Sequence, residues 1–117
     1  MRERLRDDGR LQHIVEAIKN IYEFLEGVTF EEYCSNKMMR FAVVKNLEIV
    51  GEASYMLSKE LKEQHAEIEW KDIISMRHIF VHGYYNIMDK RVWAMIKNKI
   101  PQYEEQIKQI MEVSKLS

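Results

Sequence analysis

The longest amphipathic pattern in the chain covers residues 37–62 and constrains the fold more than any other feature. Apolar side chains recur there every three or four residues, as they do on the buried side of an α-helix. One stripe consists of Met39, Ala42, Val43, Val50, Ala53, Leu57 and Leu61, and it is widened by Phe41, Val44 and Leu47. So broad a stripe predicts a central helix that packs against more than one neighbour. Asn46 lies inside the stripe, so we expect its side chain to be hydrogen-bonded if it is buried.

Upstream of this segment, the sequence predicts one long helix and one short helix. Apolar residues at helical spacing cover residues 11–25, and Gly27 follows them in the position of a C-terminal cap. Thr29 and Glu32 have the spacing of a capping box, which marks the start of a short helix. Asn36 can then cap the central helix.

Downstream, the pattern predicts more helices with short connections. An amphipathic helix begins at Trp70, another follows a cap at Asp89, and the last begins at Pro101. No segment shows the alternating pattern of a β-strand over a useful length. We therefore predict an all-α fold, an up-and-down four-helix bundle with a short additional helix, in a single domain over residues 1–117.

Composition and charge exclude several functional classes. The chain has 18 lysines and arginines against 19 acidic residues, a net charge of −1, so no global basic field attracts nucleic acid. The lone Cys34 excludes an intramolecular disulfide and fits a reducing compartment. No apolar run reaches the length of a membrane span, and no glycine-rich phosphate loop is present. We expect a soluble, cytoplasmic protein in which any RNA contact uses local charge.

Cationic, titratable and phenolic side chains cluster in residues 70–85, WKDIISMRHIFVHGYY. The cluster contains Arg77, His78, His82 and Tyr84. On a continuous helix Arg77 and Tyr84 would lie on the same side, and Arg77 and His82 would flank one surface. Two kinds of positively charged group beside a phenol suggest an anion-binding site.

Two other interpretations of this cluster stay open. Arginine and histidine on a core-facing stripe can form a satisfied polar pair that fixes helix packing. His78 and His82, four residues apart, match half of a helical metal site, although the glutamate of the HExxH pattern is missing. Glu48 and Glu52 on the central helix are a candidate carboxylate pair. We interpret them as a solvated face or as ion-pair partners of arginine, because no third ligand accompanies them.

The spacing Arg77-x4-His82-x-Tyr84 resembles the Arg-x4-His-x-Tyr signature of the HepT-like toxins within the HEPN superfamily. One position departs from the pattern. His78 stands where HepT-like proteins usually carry asparagine, although HEPN proteins in general have a polar residue there.

The resemblance extends beyond the motif. Residues 46–58, NLEIVGEASYMLS, are similar to the second-helix signature of the family, and Trp70-Lys71 precedes the motif at the usual distance. Together these features cover about residues 11–110.

The resemblance implies a homodimeric ribonuclease toxin whose motifs face a shared cleft. Cleavage would need no metal or cofactor and would leave a 2′,3′-cyclic phosphate. We assign His82 as general base or acid at the ribose 2′-OH or the leaving oxygen, and Arg77 as the group that neutralises the phosphorane-like transition state. His78 would be a second proton-transfer group or a phosphate contact, and Tyr84 would stack on a base or bond to phosphate.

The resemblance also implies a partner, a small nucleotidyltransferase antitoxin that can transfer AMP to the motif tyrosine, here Tyr84. Two alternatives belong to other functional classes. In one, the chain is a non-catalytic helical binding module that docks the nucleotidyltransferase and does not cut RNA. In the other, it is a bundle metal protein that uses His78 and His82.

Overall fold

The computed structural model describes the backbone of residues 2–78 and 85–116, and the side chains of residues 6–78 and 89–113. All regular structure in these ranges is helical, which confirms the predicted all-α class. The helices are α1 (Arg2–Leu25), α2 (Phe30–Ser35), α3 (Lys37–Met56), α4 (Lys59–Gln64), α5 (Trp70–Ile74), α6 (Tyr85–Asn98) and α7 (Ile100–Leu116), with a 3₁₀ helix over Ser75–His78. In the described ranges, no helix combines the length and apolar character needed to cross a membrane.

The predicted central helix is α3. It packs most extensively on α1, and it also contacts α2, α5 and the 3₁₀ helix. Its inner side contributes buried Val43, Val44, Leu47 and Val50 to the core. Asn46 is buried too, and its side chain accepts a hydrogen bond from the Asn20 amide and donates one to the Ala42 carbonyl, which confirms the expectation for this position.

The caps predicted from local sequence are present. Gly27 has a φ of +71°, the left-handed conformation that follows a helix end at low cost in glycine. Thr29 and Glu32 form both hydrogen bonds of the capping box, and these bonds lower the pKa of the Glu32 carboxyl. The Asn36 side chain accepts a hydrogen bond from the Met39 amide at the start of α3.

The predicted helix over residues 37–62 is wrong at its C-terminal end, because α3 stops at Met56 and a separate α4 begins at Lys59. Ser58 caps α4 by accepting a hydrogen bond from the Leu61 amide. The buried Asp7 carboxylate of α1 accepts hydrogen bonds from the Ser58 amide at 2.8 Å and from its hydroxyl at 2.6 Å. A contact with the N-terminal helix α1 thus stabilises the break between α3 and α4.

The helix that begins at Trp70 is also shorter than predicted. It is α-helical only to Ile74 and continues as the tighter 3₁₀ helix. Ile73 of α5 and Met76 of the 3₁₀ helix are both buried in the core. Arg77 and His78 are therefore in a 3₁₀ helix, not in a continuous α-helix that begins at Trp70. The segment between His78 and Tyr85 lies outside the described residues.

Asp89 does not cap a helix, because α6 begins four residues earlier, at Tyr85. Asp89 is instead buried inside α6 and pairs with Arg40 of α3 at 2.9 Å, which ties these two helices together. Trp93 of α6 packs inside the chain, with its ring 5.5 Å from the rings of both Phe30 and Tyr33.

Candidate functional site

The 3₁₀ helix that carries Arg77 lies directly against α3, at Gly51. A Cβ built on Gly51 would stand 2.6 Å from the Arg77 backbone nitrogen and 3.1 Å from the Met76 carbonyl carbon. Only a residue without a side chain permits so close an approach of two backbones. Gly51 therefore allows the short distance between the Arg77 backbone and α3.

Two side chains of α3 contact the Arg77 guanidinium. The Glu52 carboxylate oxygen lies 3.6 Å from Nε of Arg77, and the centroid of the Tyr55 ring lies 3.7 Å from its Cζ. The Glu52 contact is an ion pair beyond hydrogen-bonding range, and the Tyr55 distance is within the range of a cation–π contact. We call Gly51, Glu52 and Tyr55 the Arg77 platform.

The Arg77 side chain is partly buried, with 24% of its area exposed, while Glu52 is 59% exposed. Its Nε atom has no contact with solvent and no hydrogen-bond partner. The platform therefore covers the Nε side and one face of the group, and the two Nη donors are the part that can bind an anion.

A second cation lies beside the same aromatic ring. Lys62 of α4 donates a hydrogen bond to the Tyr55 carbonyl at 3.0 Å, and its Nζ is 5.8 Å from the Tyr55 ring centroid. Lys62 and Arg77 thus both contact one exposed ring, in a chain whose net charge is −1.

The structure places only some of the site residues predicted from the sequence. Arg77 is on the platform, and His78 follows it as an exposed side chain at the end of the 3₁₀ helix. His82 and Tyr84 lie outside the described residues. Among the side chains that are described, no group of three or more His, Cys, Asp or Glu comes together as a metal site would require.

Glu48 and Glu52 were interpreted as a solvated face or as ion-pair partners of arginine, and the contact with Arg77 confirms the second interpretation for Glu52. The sequence analysis missed Tyr55. Tyr55 follows Glu52 by three residues, so both lie on the same side of α3. No pattern along the chain could have assigned Tyr55 to the site, because its role depends on which segment packs on α3 at Gly51.

The chain has extensive sequence similarity to known proteins. A model of the family described as "Ribonuclease HepT-like" matches residues 14–110. A protein of Caldanaerobacter subterraneus subsp. tengcongensis, named "Putative RNase", is 34% identical over 105 residues, which are 90% of this chain and 94% of that protein. A "Probable ribonuclease HepT" of Thermococcus cleftensis is 37% identical over 91 residues, 78% of this chain and 83% of that protein.

A third relative, from Methanocaldococcus jannaschii and also named "Putative RNase", is 31% identical over 97 residues, 83% of this chain and 89% of that protein. No solved structure gives a significant match. The family match spans most of the chain, including the Arg77 platform and Arg77 itself. This chain belongs to the HepT-like ribonuclease family.

Proposed function

We propose that this chain is a metal-independent endoribonuclease and the toxin of a toxin–antitoxin pair. The observation that carries the proposal is the placement of Arg77, whose side chain is partly exposed and contacts Glu52 and Tyr55 of the Arg77 platform. A planar, permanently charged group with two parallel donors is suited to a phosphodiester. Membership of the HepT-like family, and relatives named as ribonucleases, support RNA as the substrate.

The chemistry requires one fixed cation and a proton shuttle. The ribose 2′-oxygen attacks phosphorus, the bond from phosphorus to the 5′-oxygen breaks, and a 2′,3′-cyclic phosphate and a 5′-hydroxyl result. Arg77 neutralises the charge that develops on the phosphoryl oxygens. His82 takes the proton from the 2′-OH or gives one to the leaving oxygen. His78, an exposed neighbour of Arg77, serves as the second proton-transfer group or as a phosphate contact.

The proposal is tested with purified wild-type protein and an end-labelled RNA in buffer containing EDTA. We expect cleavage to persist in EDTA, and we expect the 5′ fragment to end in a 2′,3′-cyclic phosphate. A protein that leaves RNA intact but is modified by a nucleotidyltransferase would be a non-catalytic docking module instead. Cleavage that disappears in EDTA and returns with zinc or iron would contradict the metal-independent mechanism.

The active form is a homodimer in which two Arg77 and His82 pairs face one cleft. Exposed large apolar side chains on one side of α3 support this arrangement: Met38, Phe41, Ile49, Tyr55 and Met56. Aromatic residues and methionine are enriched in subunit contacts. The face includes Tyr55, so a second copy on it would bring the two Arg77 side chains towards each other.

We expect light scattering to give the mass of a dimer at micromolar concentration. Ile49→Asp should shift the protein to monomer, because it places a charge inside the apolar face of α3. Val113→Asp is the matched control, since Val113 is 65% exposed on α7 and should leave the dimer unchanged. A monomeric wild-type protein, or equal masses for both variants, would contradict the arrangement.

The antitoxin is a small nucleotidyltransferase that transfers AMP to Tyr84. The adduct would add a negative charge and a bulky base close to Arg77 in the sequence, and it would compete with an RNA phosphate for the same donors. Modification would therefore inhibit cleavage by charge and by size together.

Incubation with the cognate nucleotidyltransferase and ATP should place AMP on Tyr84 and abolish cleavage, as peptide mass spectrometry and the RNA assay would show. Tyr85 is the internal control, because it is the next residue and carries the same phenol. Tyr84→Phe should block the modification. Label on Tyr85 alone, or full ribonuclease activity after complete modification of Tyr84, would rule out this regulation.

A further inference from the structure

We propose that Glu52 and Tyr55 are positioning residues for Arg77, which hold its guanidinium in the orientation that the reaction requires. This inference rests on the proposed ribonuclease function and adds two residues of α3 to its machinery. Neither residue touches the substrate in this role. Each acts through Arg77.

The neighbours of the Arg77 guanidinium determine its orientation. Arginine has a long side chain with several rotatable bonds, so a fixed orientation must be imposed by its neighbours. The Tyr55 ring, 3.7 Å from Cζ of Arg77, restricts the positions of the group, because the cation–π contact is made only while the guanidinium stays over the ring. The Glu52 carboxylate, 3.6 Å from Nε, defines the direction in which the group points over the ring.

The environment of Nε of Arg77 also favours the observed orientation of the side chain. This atom is buried, and it has no hydrogen-bond partner. A buried donor without a partner is costly, so a nearby carboxylate compensates for part of that cost only while the side chain stays in this position. The ion pair with Glu52 therefore favours the observed orientation over alternatives in which Nε would be far from any negative charge.

The negative charge of an exposed carboxylate would by itself weaken the binding of a phosphate nearby. Glu52 is 59% exposed and would repel RNA if it served only as surface charge. The two roles predict opposite effects of Glu52→Gln, a change that keeps shape and removes charge. Positioning predicts a lower rate of cleavage, whereas mere surface repulsion predicts tighter RNA binding and an equal or higher rate.

The kinetic test compares single variants under the conditions in which the wild-type protein cleaves RNA. We expect Glu52→Gln to lower kcat about tenfold with KM changed by less than about threefold, because misorientation of a catalytic group affects the transition state more than binding. Glu48→Gln is the matched control, one turn earlier on α3, and should keep the wild-type kcat. An unchanged or raised kcat in Glu52→Gln, in a wild-type background that is active, would overturn the role of Glu52.

Tyr55 is tested by a pair of substitutions. Tyr55→Leu should lower kcat about tenfold because it removes the ring, and Tyr55→Phe should recover most of that loss because it restores the stacking surface without the hydroxyl. If Tyr55→Leu does not fold by circular dichroism, the Glu52 series carries the test alone, since an exposed glutamate tolerates glutamine. Equal rates for the leucine and phenylalanine variants would contradict the role of the ring.

A double-mutant comparison separates positioning from an independent role. In an Arg77→Ala background, followed in long single-turnover reactions, Glu52→Gln should cause no further loss, because the group that it orients is absent. A further tenfold loss would show that Glu52 does not act through Arg77.

A last readout is independent of activity. In ¹⁵N NMR spectra of the free protein, the Arg77 Nε–H resonance should be resolved and displaced by the ring of Tyr55. It should move to an ordinary arginine position in Tyr55→Leu and broaden in Glu52→Gln. If the wild-type protein failed to cleave RNA, the proposed function would fall, while these spectra would still support or overturn the positioning of Arg77.

Discussion

Arg77→Ala should lower the rate of RNA cleavage by about 10²–10³-fold, the usual cost of removing one group that stabilises charge in a transition state. His82→Ala should lower it by about 10²–10⁴-fold, because the reaction then lacks a positioned proton-transfer group. Both losses should appear in the single-turnover rate constant for cleavage, measured with labelled RNA in EDTA. The fold should remain intact, since Arg77 contributes only its stem and its contact with Tyr55 to packing, about 0.5–1 kcal/mol.

Arg91→Ala is the matched control for charge, because Arg91 is an exposed arginine of α6 and its loss changes net charge by the same amount. It should keep the wild-type rate at moderate salt, where distant surface charges are screened. Full activity in either motif variant would show that the catalytic assignment is wrong. If His82→Ala instead unfolds the protein, the histidine is a packing residue and the alternative of a structural polar pair applies.

The features that could be predicted from the sequence are those determined by neighbours along the chain. The glycine after α1, the capping box of Thr29 and Glu32, and the Asn36 cap each depend on residues within four positions, and all are present. The breadth of the apolar stripe on α3 correctly predicted several packing partners. Pairing of Glu52 with an arginine could likewise be expected, because the central helix offered no third ligand for a metal.

The features that could not be predicted depend on contacts between residues far apart in sequence. The break after α3 involves Asp7, which lies 51 positions from Ser58. The residues around Asp89 predicted a helix cap, yet Asp89 is buried and pairs with Arg40, 49 positions away. Tyr55 belongs to the site only because the 3₁₀ helix meets α3 at Gly51, and no local pattern states which segment will pack there.

Gly51→Ala should destabilise the protein by about 1–3 kcal/mol and reduce cleavage by about 10²-fold. In an ordinary helix interior this substitution is stabilising, because alanine has the higher helix propensity by about 1 kcal/mol. Here the added methyl would stand 2.6, 3.1 and 3.2 Å from the Arg77 nitrogen, the Met76 carbonyl carbon and the Arg77 Cα. All three are backbone atoms, so the 3₁₀ helix must move away from α3 and carry Arg77 off Glu52 and Tyr55.

Gly9→Ala is the matched control, since Gly9 also lies inside a helix and a Cβ added there meets nothing within 4 Å. It should stabilise the protein by about 0.5–1 kcal/mol and leave cleavage unchanged. Urea denaturation gives the two free energies of unfolding, and the RNA assay gives the two rates. If Gly51→Ala proved as stable and as active as Gly9→Ala, the close approach of the Arg77 segment to α3 would have no role in placing Arg77.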